Sequence, residues 1–256
     1  MTTLADAVGG TVNRLLAATG FLVARAAPGQ AESWRASIGG PYRSDRAVIR
    51  KAAASGLSVG DYLESEWGRA GRSLSIVGRM RQAGAIPDTL QTVCEIGPGS
   101  GRYVQRIQEI VSPGRYEIYE IERNRARWLA RTYGVIARAT DGERLAATQD
   151  SSVQLVHAHG VFASLKVIAC LAYFREIARV SAPGGYAVFD IMCEECLPDD
   201  EIDEWLRTPL RYVNFLPKAF VIGFFERNGF KLIEAFSHPL MIYGQSVYLI
   251  FQKTGS

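Results

Sequence analysis

The sequence predicts an α/β fold: a doubly wound sheet of seven strands, mostly parallel, with an antiparallel C-terminal hairpin and an N-terminal helical cap. Three observations predict it. Up to residue 88 apolar residues recur at helical spacing, and Pro87-Asp88 breaks the pattern. From Leu90 onward short apolar runs alternate with helical stretches, which gives a parallel sheet with helices on both faces. The last two apolar runs have no helix between them, so they pair as a hairpin and one must run antiparallel to the rest.

The elements follow in order. "SVGDYLESEWGRAGRSLSIVGRMRQAG" reads as helical, with Ser58 and Asp61 as candidate caps. "TVCEIG" is the first strand and "GRYVQRIQEIV" its helix; "YEIYEIE" and "NRARWLARTYG" repeat the pair. "VIARAT" and "VQLVHAHG" are the third and fourth strands. "CLAYFREIARVS" is a helix closed by Pro183-Gly184-Gly185, before the fifth strand "YAVFDIM". "DDEIDEWLRT" and "AFVIGFFERNG" are helices, and "KLIEAF" and "SVYLIFQK" the final strands. The chain divides into a helical cap, 1–88, and a sheet domain, 89–256.

Near the N-terminus, "VNRLLAATGFLVARA" sets Val8, Val12, Leu15, Leu16 and Thr19 close to helical spacing. Arg14 and Arg25 bound a run too short to span a bilayer, and Asp6 rather than a basic cluster precedes it, unlike a signal peptide. It reads as a helix packed on the body or on another subunit, which leaves a homo-oligomer through the N-terminal helices open. A membrane-surface helix is the lesser alternative, because cations are few.

The 256 residues are 48% hydrophobic and 21% charged, ordinary for a soluble globular protein. The net charge of +3 is too small by itself to imply nucleic acid. Cys94, Cys170, Cys193 and Cys196 lack a framework spacing, which favours a reduced, cytoplasmic setting. Cys193-x-x-Cys196 has no second ligand pair, which argues against zinc.

In a sheet of this kind ligands bind at the carboxyl ends of the strands, where strand order reverses. The loop after the first strand reads Glu95-Ile-Gly97-Pro-Gly99-Ser-Gly101. The dinucleotide fingerprint G-x-G-x-x-G would need its third glycine at Arg102; here it comes one residue early. Glu95 would face a pyrophosphate unfavourably, and suits a ligand bearing positive charge. The stretch resembles motif I of the class I S-adenosylmethionine-dependent methyltransferases, commonly written D/E-x-G-x-G-x-G, which have a Rossmann-like sheet. The resemblance covers about residues 90–252 and implies S-adenosyl-L-methionine as cofactor.

Further stations match. Glu120 closes the second strand nineteen residues after Gly101, where the family's acid accepts from both ribose hydroxyls. Glu122 competes for that role, and register prefers Glu120. Asp141 matches the residue that hydrogen-bonds the adenine amino group, and Gly142 lets the base approach. Position 154, commonly aspartate in the family, is Gln154, a departure that concerns a fold-stabilising contact.

Methyl transfer needs nucleophile, methyl and sulfur aligned, and a base if the nucleophile is a hydroxyl. Two of the three histidines lie in "LVHAHGVF", at the end of the fourth strand, where the family keeps acceptor-side residues. Alternation sends His157 and His159 to the same side. His159 matches the family's active-site position most closely; a core or supporting histidine is the alternative for both. His238, in the terminal hairpin, can approach the pocket from above or cap a turn. Asp190, Glu194 and Glu195 follow the fifth strand and could hold a divalent cation or a cationic substrate, though no metal is expected; Asp199, Asp200 and Glu201 complement a helix dipole. Tyr62 and Trp67 could close over the cofactor or be core. Arg123, Arg125, Arg127 and Arg131 read as a solvated face.

The balanced charge, the absence of a basic tract with interleaved aromatics, and "HAHGVF" in place of an Asn/Asp-Pro-Pro-Tyr/Phe sequence favour a small-molecule acceptor over nucleic acid. The expected activity is O-methylation of a sugar or secondary-metabolite hydroxyl, with a histidine base. "FASLKVIACLAYFREI" is weakly similar to sugar O-methyltransferases. N- or C-methylation of a small molecule or RNA, or a non-catalytic cofactor-binding protein, are the alternatives.

Overall fold

Strands and helices alternate as the sequence pattern requires. The structure, a computed structural model, describes residues 45–208, 214–240 and 244–255. The apolar N-terminal stretch, and the oligomer contact expected of it, lie outside these residues.

Three helices come first: α1 (Asp45–Ala54), α2 (Val59–Glu66) and α3 (Arg72–Gln82). The single helical stretch of the sequence is broken between α2 and α3, where Gly68 and Gly71 take positive φ. Ser58 caps α2 by accepting the Asp61 N–H at 3.0 Å. Asp61 is therefore not itself a cap; it receives the Ser58 hydroxyl and pairs with Arg106.

The sheet follows: β1 (Thr92–Ile96), α4 (Arg102–Ile110), β2 (Arg115–Tyr119), α5 (Arg123–Tyr133), β3 (Ile136–Ala137), β4 (Val153–Ala158), α6 (Val167–Val180), β5 (Ser181–Ile191), a 3₁₀ turn (Glu194–Cys196), α7 (Asp199–Arg207), α8 (Lys218–Arg227), β6 (Phe230–Pro239) and β7 (Gln245–Lys253). Strand order is β3-β2-β1-β4-β5-β7-β6. β7 runs antiparallel to both neighbours, β5 and β6, so it is the reversed strand of the hairpin. β1 pairs in parallel with β2 on one side and β4 on the other. Order reverses there, the position at which sheets of this kind bind their ligands.

β1 is buried on both faces from Val93 to Ile96, as a central parallel strand must be. On one face Phe162, Phe174, Phe189, Phe225 and Phe251 form an aromatic core. On the other, Val93, Ile118, Leu155, Val188 and Ile250 meet Ile76, Val77 and Met80 of α3 and Tyr103, Val104 and Ile107 of α4. Each such side chain contributes about 1.5–3 kcal/mol by leaving water. Residue 88 thus marks a change of pattern, whereas α3 packs in the same core as the sheet.

Two strands differ from the sequence expectation. β3 is only two residues long. Pro183-Gly184-Gly185 does not close a helix: α6 ends at Val180, and β5 begins at Ser181. Val153 pairs with Ser181 and Leu155 with Tyr186, so a bulge interrupts the register. The Pro-Gly-Gly stretch forms the bulge. A Cβ on Gly185 would lie within 2.9–3.0 Å of the carbonyl oxygens of Ala182, Gln154 and Val153.

Gln154 makes the stabilising contact expected of its position. Its Oε1 accepts from the backbone N–H groups of Gln91 and Thr92 at 2.6 and 3.3 Å, tying β4 to the start of β1.

Candidate functional site

The glycine loop turns from β1 into α4 with Gly97, Gly99 and Gly101 all at positive φ. Two of them answer to the protein's own packing. A Cβ on Gly97 would stand 2.8 Å from Val161, and one on Gly101 2.6 Å from both Leu129 and Tyr133. Gly99 is different: at φ +55° it has nothing within 4 Å of its missing Cβ. Its bare face is open to a ligand, and this opening fits a nucleoside lying against the backbone.

Glu120 sits beside that opening. It is buried, and its Oε1 accepts the Glu122 N–H at 2.9 Å. Burial pushes its carboxyl up, opposed by the Glu122 N–H, Arg125 and the Gly99 N–H. The acid after β2 thus lies within electrostatic reach of the glycine loop at Gly99. Glu122 serves the helix instead: its carboxylate caps α5 by accepting from the Asn124 and Arg125 N–H groups. The solvated arginine face needs one correction. Arg123, Arg127 and Arg131 are exposed, but Arg125 is buried, with Nη1 3.5 Å from Glu120 Oε1. An arginine there offsets the desolvation of the acid.

Asp141 is exposed and forms a turn, its Oδ1 accepting from the Glu143 and Arg144 N–H groups at 3.0 and 2.9 Å. Those groups and the Arg144 guanidinium hold its carboxyl below its usual value. Gly142, at φ +86°, lies against Ile121, which is 73% exposed. A large aliphatic side chain this exposed, one residue past Glu120, offers an apolar surface to a flat ring. The sequence signal was present in "YEIYEIE", where the alternation runs past the strand end.

Glu95 does not face the open loop. It is 1% exposed, and its Oε2 accepts the Tyr116 hydroxyl at 2.8 Å. Burial pushes its carboxyl up to about 8.

At the end of β4 His157 and His159 share a face and touch, His157 Nδ1 to His159 Nε2 at 3.0 Å. The ring of His159 stacks on Tyr103 at 3.5 Å between centroids and 14° between planes. Its Nδ1 lies 3.3 Å from Tyr248 Oη. Burial holds His159 well below its ordinary value and His157 down at about 3, so both are neutral. Arg72 braces the box, donating to Tyr103 Oη at 2.6 Å and Tyr248 Oη at 3.3 Å. Its Nε and that of Arg69 donate to the carbonyls of Pro239 and Leu240, clasping α3 to the end of β6. The sequence carries no signal for Arg72, Tyr103, Tyr116 or Tyr248, because they reach the site from four separate elements.

His238 belongs to β6, paired with Ser246, and its Nδ1 donates to its neighbour's carbonyl, Pro239 O, at 3.2 Å. Its ring stands 6.3 Å from Tyr248, so it flanks the box without joining it. Asp190 is fully buried and accepts from the Gly160 N–H at 2.6 Å and the Ser246 hydroxyl at 2.7 Å, fixing the turn after His159. Glu194 accepts from the Lys218 N–H and Glu195 pairs with Lys218 Nζ, so the three carboxylates are not gathered around a cation. Tyr62 packs with Val48 and Ala52 as cap core, while Trp67 lies under the Arg102 guanidinium at 5.8 Å.

Residues 69–235 match the model of a family described as a methyltransferase domain. Among curated protein sequences nothing matches. Magnesium protoporphyrin IX methyltransferase from Synechocystis PCC 6803, solved with bound SAH, superposes with a TM-score of 0.56 at 15% identity, over 96% of this chain and 99% of that one. An O-methyltransferase family protein from Burkholderia thailandensis gives 0.56 at 13% identity, over 98% and 85%. A SAM-dependent methyltransferase from Methanosarcina mazei gives 0.55 at 13%, over 69% and 98%. At these identities the likeness establishes the fold.

Proposed function

We propose a function from one premise: the chain belongs to the class I S-adenosylmethionine-dependent methyltransferases. S-adenosylmethionine is the methyl donor. Our reading gives the donor's methionine portion and ribose to the Gly97–Gly101 loop. The ribose hydroxyls go to Glu120, and the adenine to Asp141, Gly142 and the exposed face of Ile121. The donor brings the activated methyl group; the chain's own residues orient the partners, exclude water and move the acceptor's proton.

The acceptor is read as a hydroxyl of a small molecule, a sugar or secondary metabolite, and His159 as the base. The observation that carries this reading is a neutral imidazole at the carboxyl end of β4, desolvated and stacked on Tyr103. Neutral imidazole has the lone pair a base needs, and stacking fixes its plane. His157 orients it through the 3.0 Å nitrogen contact, and His238 stands at the rim. The reaction is placed in the cytoplasm, in keeping with four free, buried cysteines. Among the described residues no helix is long and apolar enough to cross a membrane.

A second reading, transfer to nitrogen or carbon, draws on a different observation: both ring nitrogens of His159 already have protein partners. An acceptor with its own lone pair needs no base. Incubation with methyl-labelled S-adenosylmethionine and a set of glycosides, catechols, carboxylates and amines separates the two. Hydroxyl acceptors labelled by the wild type and lost in His159→Gln are expected. Hydroxyl methylation at an unchanged rate in that variant would end the base assignment.

A further inference from the structure

The inner end of the acceptor box continues into the sheet as an unbroken line of side chains. His159 Nε2 is 3.0 Å from His157 Nδ1, His157 Nε2 is 2.9 Å from Tyr116 Oη, and Tyr116 Oη is 2.8 Å from Glu95 Oε2. None of the four is more than 8% exposed. They come from β4, β2 and β1, and meet because β1 lies between the other two strands.

Donor and acceptor counting fixes the hydrogens. An ionised carboxylate only accepts, so Tyr116 donates to Glu95. The Tyr116 oxygen then accepts from His157 Nε2–H, and His157 Nδ1 accepts from His159 Nε2–H. The lone pair left at the outer end is on His159 Nδ1, which the Tyr248 hydroxyl faces at 3.3 Å, so an acceptor hydroxyl enters the line by taking that hydroxyl's place. If Glu95 carries a proton, every bond reverses: Glu95 donates to Tyr116, Tyr116 to His157 Nε2, and His157 Nδ1–H to His159 Nε2. His159 then holds its hydrogen on Nδ1. Both rings are neutral in both states, and the two states differ by one proton.

We propose that this line is a proton relay, in which the proton of a hydroxyl acceptor enters at His159 Nδ1 and emerges on Glu95, the acid that opens the glycine loop. It rests on the reading that His159 meets the acceptor. The acceptor's O–H bond breaks and its proton bonds to His159 Nδ1. The His159 Nε2 proton passes to His157 Nδ1, the His157 Nε2 proton to Tyr116 Oη, and the Tyr116 proton to Glu95. The freed oxygen pair forms the bond to methyl carbon, and the carbon–sulfur pair stays on sulfur. Acid, phenol and rings end neutral.

The environment favours passage over storage along the line. Burial disfavours imidazolium at both histidines and phenolate at Tyr116, so no charge rests between the ends. Glu95 can hold the proton, its carboxyl pushed up to about 8 by burial and by Glu120, against the Tyr116 hydroxyl and Arg102. Tyr133 of α5 also interacts with it. A cationic donor favours the ionised carboxyl before transfer, and loss of that charge favours the acid afterwards. His157, Tyr116 and Glu95 act through His159 and are positioning residues.

The test is ¹⁵N NMR of the ring nitrogens in the full chain, with His238→Gln leaving only the two relay rings. From about pH 9.5 down to about 6.5, in the range where a neutral histidine is expected to stay neutral here, both should change together from the Nε2–H to the Nδ1–H tautomer. The midpoint should fall near 8. Glu95→Gln should hold both rings in one tautomer throughout. Rings that switch separately, an imidazolium signal, or a wild type with no switch overturns the relay and leaves the base assignment standing. Hydroxyl methylation unchanged in His159→Gln overturns the base assignment, and with it the entry point, even where the joint switch is seen.

Discussion

The two sides of the crevice are built by different rules. Beside β1, β2 and β3 the candidate groups come from three short contiguous stretches: Gly97–Gly101, Glu120-Ile121 and Asp141-Gly142. Gly99 has open space at its missing Cβ, and Ile121 and Asp141 stand in solvent. Beside β4, β5 and β7 the histidines are enclosed by Arg72, Tyr103, Tyr116 and Tyr248, drawn from α3, α4, β2 and β7, all buried. Binding a nucleoside asks for close backbone approach, which local sequence provides. Moving a proton asks for dryness and a fixed hydrogen-bond order, which only long-range packing provides.

That division can be broken by experiment. The largest expected effect is His159→Gln, which should slow methylation of a hydroxyl about 10²- to 10³-fold. Calorimetry should show S-adenosylmethionine affinity unchanged; affinity falling in step with rate would join the two sides. Next comes Glu120→Ala, expected to weaken the donor by about 1.5–3 kcal/mol, read by the same calorimetry. Gly101→Ala should lower stability by about 1–3 kcal/mol, since it combines a left-handed backbone with a Cβ pressed on Leu129 and Tyr133. Gly99→Ala shares the left-handed backbone but meets no neighbour, so it should lower stability by about 1 kcal/mol, less than Gly101→Ala, and lose affinity.

A smaller effect concerns pH. The unfolded chain releases the Glu95 proton near 4.5 and the folded chain near 8, so stability falls as pH rises across that window. His157 is depressed from 6.5 to about 3, and His159 also downward, so their contribution falls as pH drops below 6.5. Two histidines outweigh one acid on the acidic side, so the contribution of this group peaks near pH 6.5. Thermal scans from about pH 6.5 to 8.5 should show a falling Tm that Glu95→Gln flattens; equal slopes would mean the acid is ionised in the fold. The smallest effect is expected for Asp141→Asn, under about 0.5 kcal/mol in stability, because the side chain is exposed.

Legibility in the sequence follows the same division. The succession of strands and helices and the position of the glycine loop can be read because periods of two and of about four residues are local. Gln154 is legible as a fold contact only through the family resemblance, which marks its position as one that commonly carries a stabilising aspartate. Pro183-Gly184-Gly185 reads as a turn in sequence, since a strand bulge uses the same residues. Arg125 reads as solvated because its neighbours in a charged run are exposed, while the helix rotates this one inward against Glu120. Glu95 reads as facing the ligand, whereas strand alternation points it at Tyr116 on β2. Tyr103 and Tyr248 lie 145 positions apart yet come within 3.4 Å, a separation no local pattern reports.

The place of β7 between β5 and β6 also sets a schedule. It leaves the ribosome after every other strand of the sheet, yet it occupies an interior position. Until it arrives, β6 has no partner in the sheet and β5 presents an open edge. It also delivers Ser246 to Asp190 and Tyr248 to His159. A nascent chain can therefore assemble the glycine loop and its neighbouring acids early, while the acceptor box closes last. The last strand to be made thus sets when the histidine cluster can be completed.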